Sequence, residues 1–390
     1  MDIPYIRPKL LVRENDPVRT GTPLFCDKRS PDIQYVAPAA GIVHKISFGK
    51  RRKLKEIIII PGNQEDFIQF EPMDESSMES SDKIRISTLL KKAGLWQGLR
   101  EFPFRDTADD THEPSMIIVS LNGNDIFSPV PHVLLENRSR FLEYGIKILK
   151  KFSDRIIISA RKSDIDRSDL VKKHATHAVG DLYPAWDPGV VLYHLKTSAQ
   201  ENNSWCINAE HLILIAKFLL TGRYPSERLV SVTGLKNRNC HIITRQGAPI
   251  GYLAGQCKDG CIISTGRFNG RQVQNSSHLG FFENTLNIIK AGPEEKFMGF
   301  LRPGPEEPDC NRHGEERACI NCGFCTEICP VDLEPGFIMK ALLGDDIEEA
   351  LEYGLLDCCR CGLCSYACPS KIELVHLLSE GINVYYKDRQ

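Results

Sequence analysis

The sequence predicts a multidomain protein of mixed α/β and β architecture that ends in a small, helical, cysteine-rich domain. Three observations predict it. Residues 1–75 carry short β-type runs broken by turn residues, residues 115–225 alternate strand-like and helical apolar patterns, and the last fifth of the chain holds one cysteine spacing twice. With 390 residues there is room for two to four domains with cores of their own. A hydrophobic share of 42% and a charged share of 26% are ordinary for a soluble globular protein, and a net charge of −2 implies no general attraction to nucleic acid or membrane. The apolar runs, such as 56–60 and 212–220, fall well short of the ~20 residues of a spanning helix. Met1-Asp2-Ile3-Pro4 begins no signal peptide, so the expected setting is the reducing cytoplasm, free or docked on a membrane complex.

In the first segment, Val12, Val18 and Leu24 are separated by the turn signals Asn15-Asp16-Pro17 and Gly21-Thr22-Pro23, and an Ala37-Pro38-Ala39-Ala40-Gly41-Ile42-Val43 stretch follows. The pattern resembles a lipoyl-like barrel-sandwich hybrid. A carrier domain of that kind presents a lysine in a motif such as Met-Lys-Met; none occurs, so residues 1–75 read as a structural module without a prosthetic arm. The basic run 50–55 reads as a solvated loop between strands, with a docking patch for an acidic partner or anionic lipid as the alternative.

Residues 76–84 read as a polar linker, and a helix is expected from Ser87 to Gly98 with Leu89, Leu90, Ala93 and Leu95 on its apolar face. The α/β core, Rossmann-like in its alternation, is placed at 85–227. Ser115–Ser120 and Arg155–Ser159 are its buried strands, and Phe141–Phe152 and Ala209–Thr221 its helices. Residues 228–300 hold a strand–turn–strand unit, Leu229–Gly234 and Cys240–Thr244, that resembles a β-grasp (SLBB-like) insert with its return segment. Arg302–Asp309 is a stiff, proline-rich linker into a last domain at 301–390. His174 and His177 read as surface or core histidines, Asp181 and Asp187 as solvated or pocket-lining acids, and Trp96 and Trp186 as packing residues.

The cysteine spacing carries the chemistry. Cys319, Cys322, Cys325 and Cys329 precede Pro330, and Cys358, Cys361, Cys364 and Cys368 precede Pro369; each set is C-x2-C-x2-C-x3-C-P. This is the pattern of bacterial two-cluster ferredoxins, in which the fourth cysteine of each run serves the other cluster. Two 4Fe–4S clusters are therefore expected. Cluster one takes Cys319, Cys322, Cys325 and Cys368; cluster two takes Cys358, Cys361, Cys364 and Cys329. Gly323 and Gly362 are expected to keep side chains away from the sulfides. Zinc is the weaker alternative, since the third cysteine and the Cys-Pro ending repeat. Cys359 and Cys310 read as spare thiols, and Cys26, Cys206, Cys240, Cys257 and Cys261 as structural. Between the ladders, Asp345 or Asp346 caps a helix carrying Ile347, Ala350, Leu351 and Leu355, and Phe337, Ala341 and Leu342 form a second stripe, so the tail is an α-helical ferredoxin domain.

The whole order resembles one family, that of the A subunit of the sodium-translocating NADH:quinone reductase (Nqr) and its relative, the C subunit of the Rnf complex. The fragments that carry the likeness are Arg7–Val12, Ala93–Trp96 with Arg100 and Pro103-Phe104, Tyr183-Pro184 with Pro188-Gly189, Ile207-Asn208, Thr221–Arg223 and Phe300–Gly304. The resemblance implies an electron-transfer component of a membrane-associated, ion-translocating oxidoreductase, working beside membrane-embedded and flavin-carrying subunits. It also implies two departures. The tail carries Rnf-type cysteines on a body closer to the Nqr family. Where Rnf-type relatives have a Gly-rich flavin loop, this chain reads Gly98-Leu99-Arg100-Glu101-Phe102-Pro103-Phe104. Arg100 and Glu101 replace the inner glycines, so FMN and NADH are not expected to bind in the family manner, and a quinone site stays open. The competing readings are a soluble flavin- and NADH-dependent dehydrogenase module feeding its own clusters, and a non-redox assembly scaffold.

Overall fold

The computed structural model describes residues 3, 5–49, 52–235, 238–255, 261–268, 270–290 and 316–389. The proline-rich linker, the Phe300–Gly304 fragment, Lys50 and Arg51, Cys257 and Cys310 lie outside these residues.

The first segment folds as two three-stranded sheets. Strands β1 (Pro8–Leu10), β3 (Pro23–Asp27) and β4 (Gln34–Val36) form one; β2 (Pro17–Val18), β5 (Gly41–Phe48) and β6 (Leu54–Pro61) form the other. Val12, Val18, Leu24, Ala37 and Val43 are buried together in their shared core. Gly41 is required by the close approach of β6: a Cβ there would lie 2.1 Å from the carbonyl oxygen of Ile60.

Residues 76–84 are not a linker. Helices span Glu75–Ser80 and Lys83–Lys92, because Asp74 and Asp82 each accept a backbone N–H three residues on, from Ser77 (2.8 Å) and Arg85 (2.7 Å). The helix expected from Ser87 thus starts earlier and stops at Lys92, where Gly94 takes a left-handed φ of 69°.

The central sheet has the order β11-β10-β9-β12-β7-β8. Strands β9 (Ile117–Ser120), β10 (Ile156–Arg161), β11 (His177–Val179) and β12 (Trp205–Asn208) are parallel; the two-residue strands β7 (Arg100–Glu101) and β8 (Asp106–Thr107) close one edge antiparallel. The helices Ser139–Leu149 and Ala209–Thr221 pack together on one face of it. Trp96, Trp205, Ile117, Val119, Leu212 and Phe218 are fully buried in the core that joins these layers.

A separate five-stranded sheet follows, formed by β13 (Glu227–Leu235), β14 (Arg238–Arg245), β15 (Cys261–Ser264), β16 (Gln272–Val273) and β17 (Thr285–Lys290). Its order is β14-β13-β17-β15-β16, with β13 and β17 parallel. The short helix Ile250–Ala254 supplies Ile250, Leu253 and Ala254 to its core.

The tail is helical: Phe324–Glu327, Pro335–Leu343, Ile347–Glu352, Leu363–Ala367 and a final Leu374–Asp388. Asp346 is the cap anticipated for the third helix, accepting from the Glu349 N–H at 2.9 Å. Among the described residues no helix is long and apolar enough to cross a membrane.

Candidate functional site: the cysteine ladders

The two ladders repeat in backbone as well as in sequence. Asn321 and Arg360 have φ of 55° and 57°, Gly323 and Gly362 have 79° and 85°, and Asp332 and Lys371 have 49° and 60°. The members of each pair stand at the same place relative to Cys319 or Cys358. Left-handed conformations on either side of the second cysteine coil the chain into a tight loop, and they are uncommon outside glycine. Gly323 and Gly362 then start the short helices Phe324–Glu327 and Leu363–Ala367. A Cβ on Gly323 would meet no protein atom within 4 Å, so among protein atoms it is the positive φ, not crowding, that calls for glycine.

The structure brings four of the eight cysteines around one cavity. Cys358, Cys361, Cys364 and Cys329 line it together with Val331, Leu333, Val375 and Leu378; it encloses about 320 Å³ and is open to solvent. The first three come from one ladder and the fourth from the other. The donor set is all sulfur in an apolar wall. Burial pushes the Cys358 and Cys364 thiols up to about 12, and that of Cys329 also rises. Bare thiolates are therefore disfavoured there, and a cationic metal core would supply the charge that makes them stable. The residues present fit an iron–sulfur core.

The other set is more open. Cys319 and Cys322 are exposed and Cys325 is half-buried, whereas Cys368 is buried. Cys368 and Cys325 pack in a common apolar cluster with Met339, Ile372 and Leu374. Gly336 lies against Cys325, its notional Cβ 3.6 Å from the sulfur. Among the described residues, no three His, Cys, Asp or Glu side chains converge on a point as a single metal ion would require.

The buried ladder rests on the second domain. The Tyr183 hydroxyl donates to the Cys361 carbonyl at 2.9 Å, and the ring of His194 meets the Pro330 carbonyl at 3.1 Å. Lys196 pairs with Asp357. Arg105 and Asp187 form a largely buried ion pair, and Asp187 also caps the helix Pro188–Leu195 by accepting from the Gly189 N–H at 2.7 Å. Asp187 is thus a structural acid, as is Asp181, which accepts from the Ser163 N–H at 3.0 Å. A second cavity, about 300 Å³ and also open to solvent, runs between Phe102, Pro103, Arg105 and Tyr193 on one side and Asp357, Cys358 and Cys359 on the other. Cys359 is buried and lines both cavities. The last helix adds an aromatic clasp: Tyr386 packs on Phe104 (4.5 Å between centroids) and Tyr5 (4.3 Å), and its hydroxyl bonds Asp106, which also holds Arg29. The Arg105–Asp187 pair and this clasp were not legible in the sequence. Asp187-Pro188 reads as a helix start, but a partner 82 residues away leaves no local signal.

Arg100 and Glu101 lie on the edge strand β7. The Arg100 guanidinium sits over the Phe282 ring at 5.1 Å and donates to the Thr107 hydroxyl at 3.3 Å. The Glu101 carboxylate accepts from the Asp109 N–H at 2.9 Å and pairs with His112 at 3.1 Å. Burial raises the proton affinity of Glu101. Beside them Gly98 faces the ring of His211, whose Cβ would lie 3.2 Å from a Cβ placed on the glycine. Both side chains are engaged, Glu101 within the α/β domain and Arg100 with Thr107 there and with Phe282 of the following segment. Trp96 and Trp186 pack as expected, donating to the Ala108 and Gly123 carbonyls at 2.8 Å each.

Fold and cysteine site together define a class, a body of β and α/β domains joined to a helical tail with the two-cluster ferredoxin spacing. Residues 1–61 match the NqrA N-terminal barrel-sandwich hybrid domain, residues 81–224 the NqrA second alpha/beta domain, and residues 287–372 a 4Fe-4S dicluster domain. The two NqrA models together match more than half of the chain, which belongs to the NqrA family; its relatives are named as the A subunit of the Na(+)-translocating NADH-quinone reductase. The NqrA proteins of Neisseria gonorrhoeae (strain FA 1090) and Histophilus somni are each 27% identical to it, and that of Saccharophagus degradans 26%; in all three the alignment covers 90% of this chain and 84% of the relative.

Proposed function

We propose that this chain is the electron-relay component of a membrane-associated, Nqr/Rnf-type, ion-translocating NADH oxidoreductase. The observation that carries the reading is the pair of ladders with matching backbone, one of which closes a cysteine-lined cavity with the fourth cysteine of the other. When bound, a 4Fe–4S core takes up and releases one electron at a time. Cys319, Cys322, Cys325 and Cys368 would hold the first, and Cys358, Cys361, Cys364 and Cys329 the second. Val331, Leu333, Val375 and Leu378 surround the second set with apolar surface, which limits water and tunes the potential.

Several finer points belong to the same reading. The strand order of the five-stranded sheet, with its first and last strands parallel and adjacent, supports a β-grasp unit at 228–300 between the α/β core at 85–227 and the ferredoxin domain at 301–390. The engagement of Arg100 with Phe282 and of Glu101 with His112 supports a body that does not hold FMN or NADH in the family manner. Flavin-carrying and membrane-embedded partner subunits would then supply and remove the electrons, with this chain peripheral on the cytoplasmic side. The dehydrogenase alternative is tested by releasing bound cofactors: anaerobically prepared protein should yield iron and sulfide but no flavin on denaturation, and NADH alone should leave its absorbance unchanged. Yellow flavin in amounts equal to the chain would overturn the relay reading.

A further inference from the structure

The two cysteine sets face different surroundings. The first ladder carries Cys319 and Cys322 at the surface, whereas the second ladder lies against the second domain. Around the first, the chain exposes large apolar side chains: Ile320 is 67% exposed, Phe324 51%, Phe337 49% and Leu343 68%. They form a neighbourhood rather than a scatter. Ile320 lies on the ladder loop itself, and Phe324 opens the short helix that follows it. The helix Pro335–Leu343 is tied to that loop where Lys340 donates to the Asn321 side chain at 2.6 Å, with the same ammonium 4.9 Å from the Phe337 ring. Beside this collar stands one exposed base, Arg317, and the chain that follows the ladder is acidic. From Glu327 to Glu352 eight carboxylates are exposed, against one base, Lys340, and among the described residues none of the eight forms an ion pair. A surface that is apolar at its centre, negative at its rim and wrapped around an electron carrier has the anatomy of a transient docking site.

We infer that the first-ladder face is the port through which a separate, basic, one-electron carrier protein docks and exchanges electrons with this chain. The inference rests on the relay reading and adds to it a direction in space: cluster one outward, cluster two toward the body. The negative rim speeds encounter with a positive partner and makes it salt-sensitive, while the small apolar centre keeps residence short. Exposed carboxylates at this density repel a second copy of the same face and an anionic membrane alike.

The test uses the full chain, loaded anaerobically with iron and sulfide, and mitochondrial cytochrome c as a lysine-rich one-electron probe. Stopped-flow oxidation of the reduced chain should slow by at least about tenfold between low and high salt. It should slow by about fivefold or more in E327K/E334K, whose iron content and EPR spectrum stay those of the parent. Succinylated cytochrome c, with its lysines masked, should react slowly with both. Charge reversal on the second domain, E136K/D154K, should leave the rate within about twofold. Calorimetric titration of oxidised cytochrome c into the same chains reads docking without electron flow and should show the same ranking. A rate and affinity indifferent to salt and to E327K/E334K would overturn the port. So would a parent chain that self-associates through this face instead. Iron near zero in the parent, with docking still lost in E327K/E334K, would reject the relay but keep the surface; full iron with unaltered docking would do the reverse.

Discussion

In the second ladder it is spacing, not surroundings, that separates ligand from bystander. Cys361 and Cys359 are both buried and both line the sulfur-walled cavity, yet only Cys361 stands in the repeated spacing. Cys361→Ser should therefore lower iron content by about half, toward four per chain, whereas Cys359→Ser should leave it near eight. Iron analysis after anaerobic reconstitution checks both; equal losses would mean that the spare thiol is a ligand. A second prediction belongs to His211. Burial beside Arg228 and Arg100 lowers its proton affinity to about 3, while Asn208 fixes its Nδ1 at 2.8 Å. Unfolded, the ring titrates near its ordinary value of ~6.5, so between the two the unfolded chain binds one more proton. Stability must then fall as pH drops below about 6.5, by up to ~1.4 kcal/mol per unit. All three tryptophans lie in this domain, so urea unfolding followed by tryptophan fluorescence at pH 7 and pH 5 reads it. His211→Gln should begin less stable and lose less on acidification.

Among the elements, the short helices of the tail depend on the left-handed turns that precede them. Gly323→Ala would place a Cβ at φ 79°, costing roughly 1–2 kcal/mol, with no protein clash to add to it. The expected result is a lower midpoint for loss of cluster absorbance in guanidinium, with the second-domain transition unchanged. Elements also show where sequence reading succeeds. Ala209–Thr221 was legible residue for residue, because Asn208 caps it and Gly222 ends it at φ 67°. The repeated backbone of the two ladders was equally legible, since the spacing repeats with it. Residues 76–84 misled because Ser-rich, polar composition reads as linker, while Asp74 and Asp82 are in fact helix caps. The final helix, Leu374–Asp388, has no such signature: it lacks a side-chain cap, and Tyr385 and Tyr386 dock on a distant partner, Phe104.

For the molecule as a whole, the seam between tail and body matters most. Lys196–Asp357 and the Tyr183 hydroxyl on Cys361 hold the second ladder against the α/β domain, and the Arg105–Asp187 pair inside that domain lines the cavity that Cys358 and Cys359 close. None of these contacts has a local sequence signature. Asp187→Asn keeps a capping oxygen but removes the charge, leaving Arg105 uncompensated in a largely buried place, a loss of about 3–5 kcal/mol. Limited proteolysis should then release the tail from the body sooner than in the parent, because Arg105 lines the cavity against Cys358 and Cys359; an unchanged digestion course would mean that this pair does not support the seam.

The central claim is that two cubes share crossed ligands within one tail. The most direct measurement is iron analysis with EPR on anaerobically reconstituted, chemically reduced protein. The account predicts about eight irons per chain and spectra broadened by coupling between two neighbouring reduced clusters, collapsing to a single uncoupled signal in Cys361→Ser. Four or fewer irons in the parent, or zinc in place of iron, would contradict it.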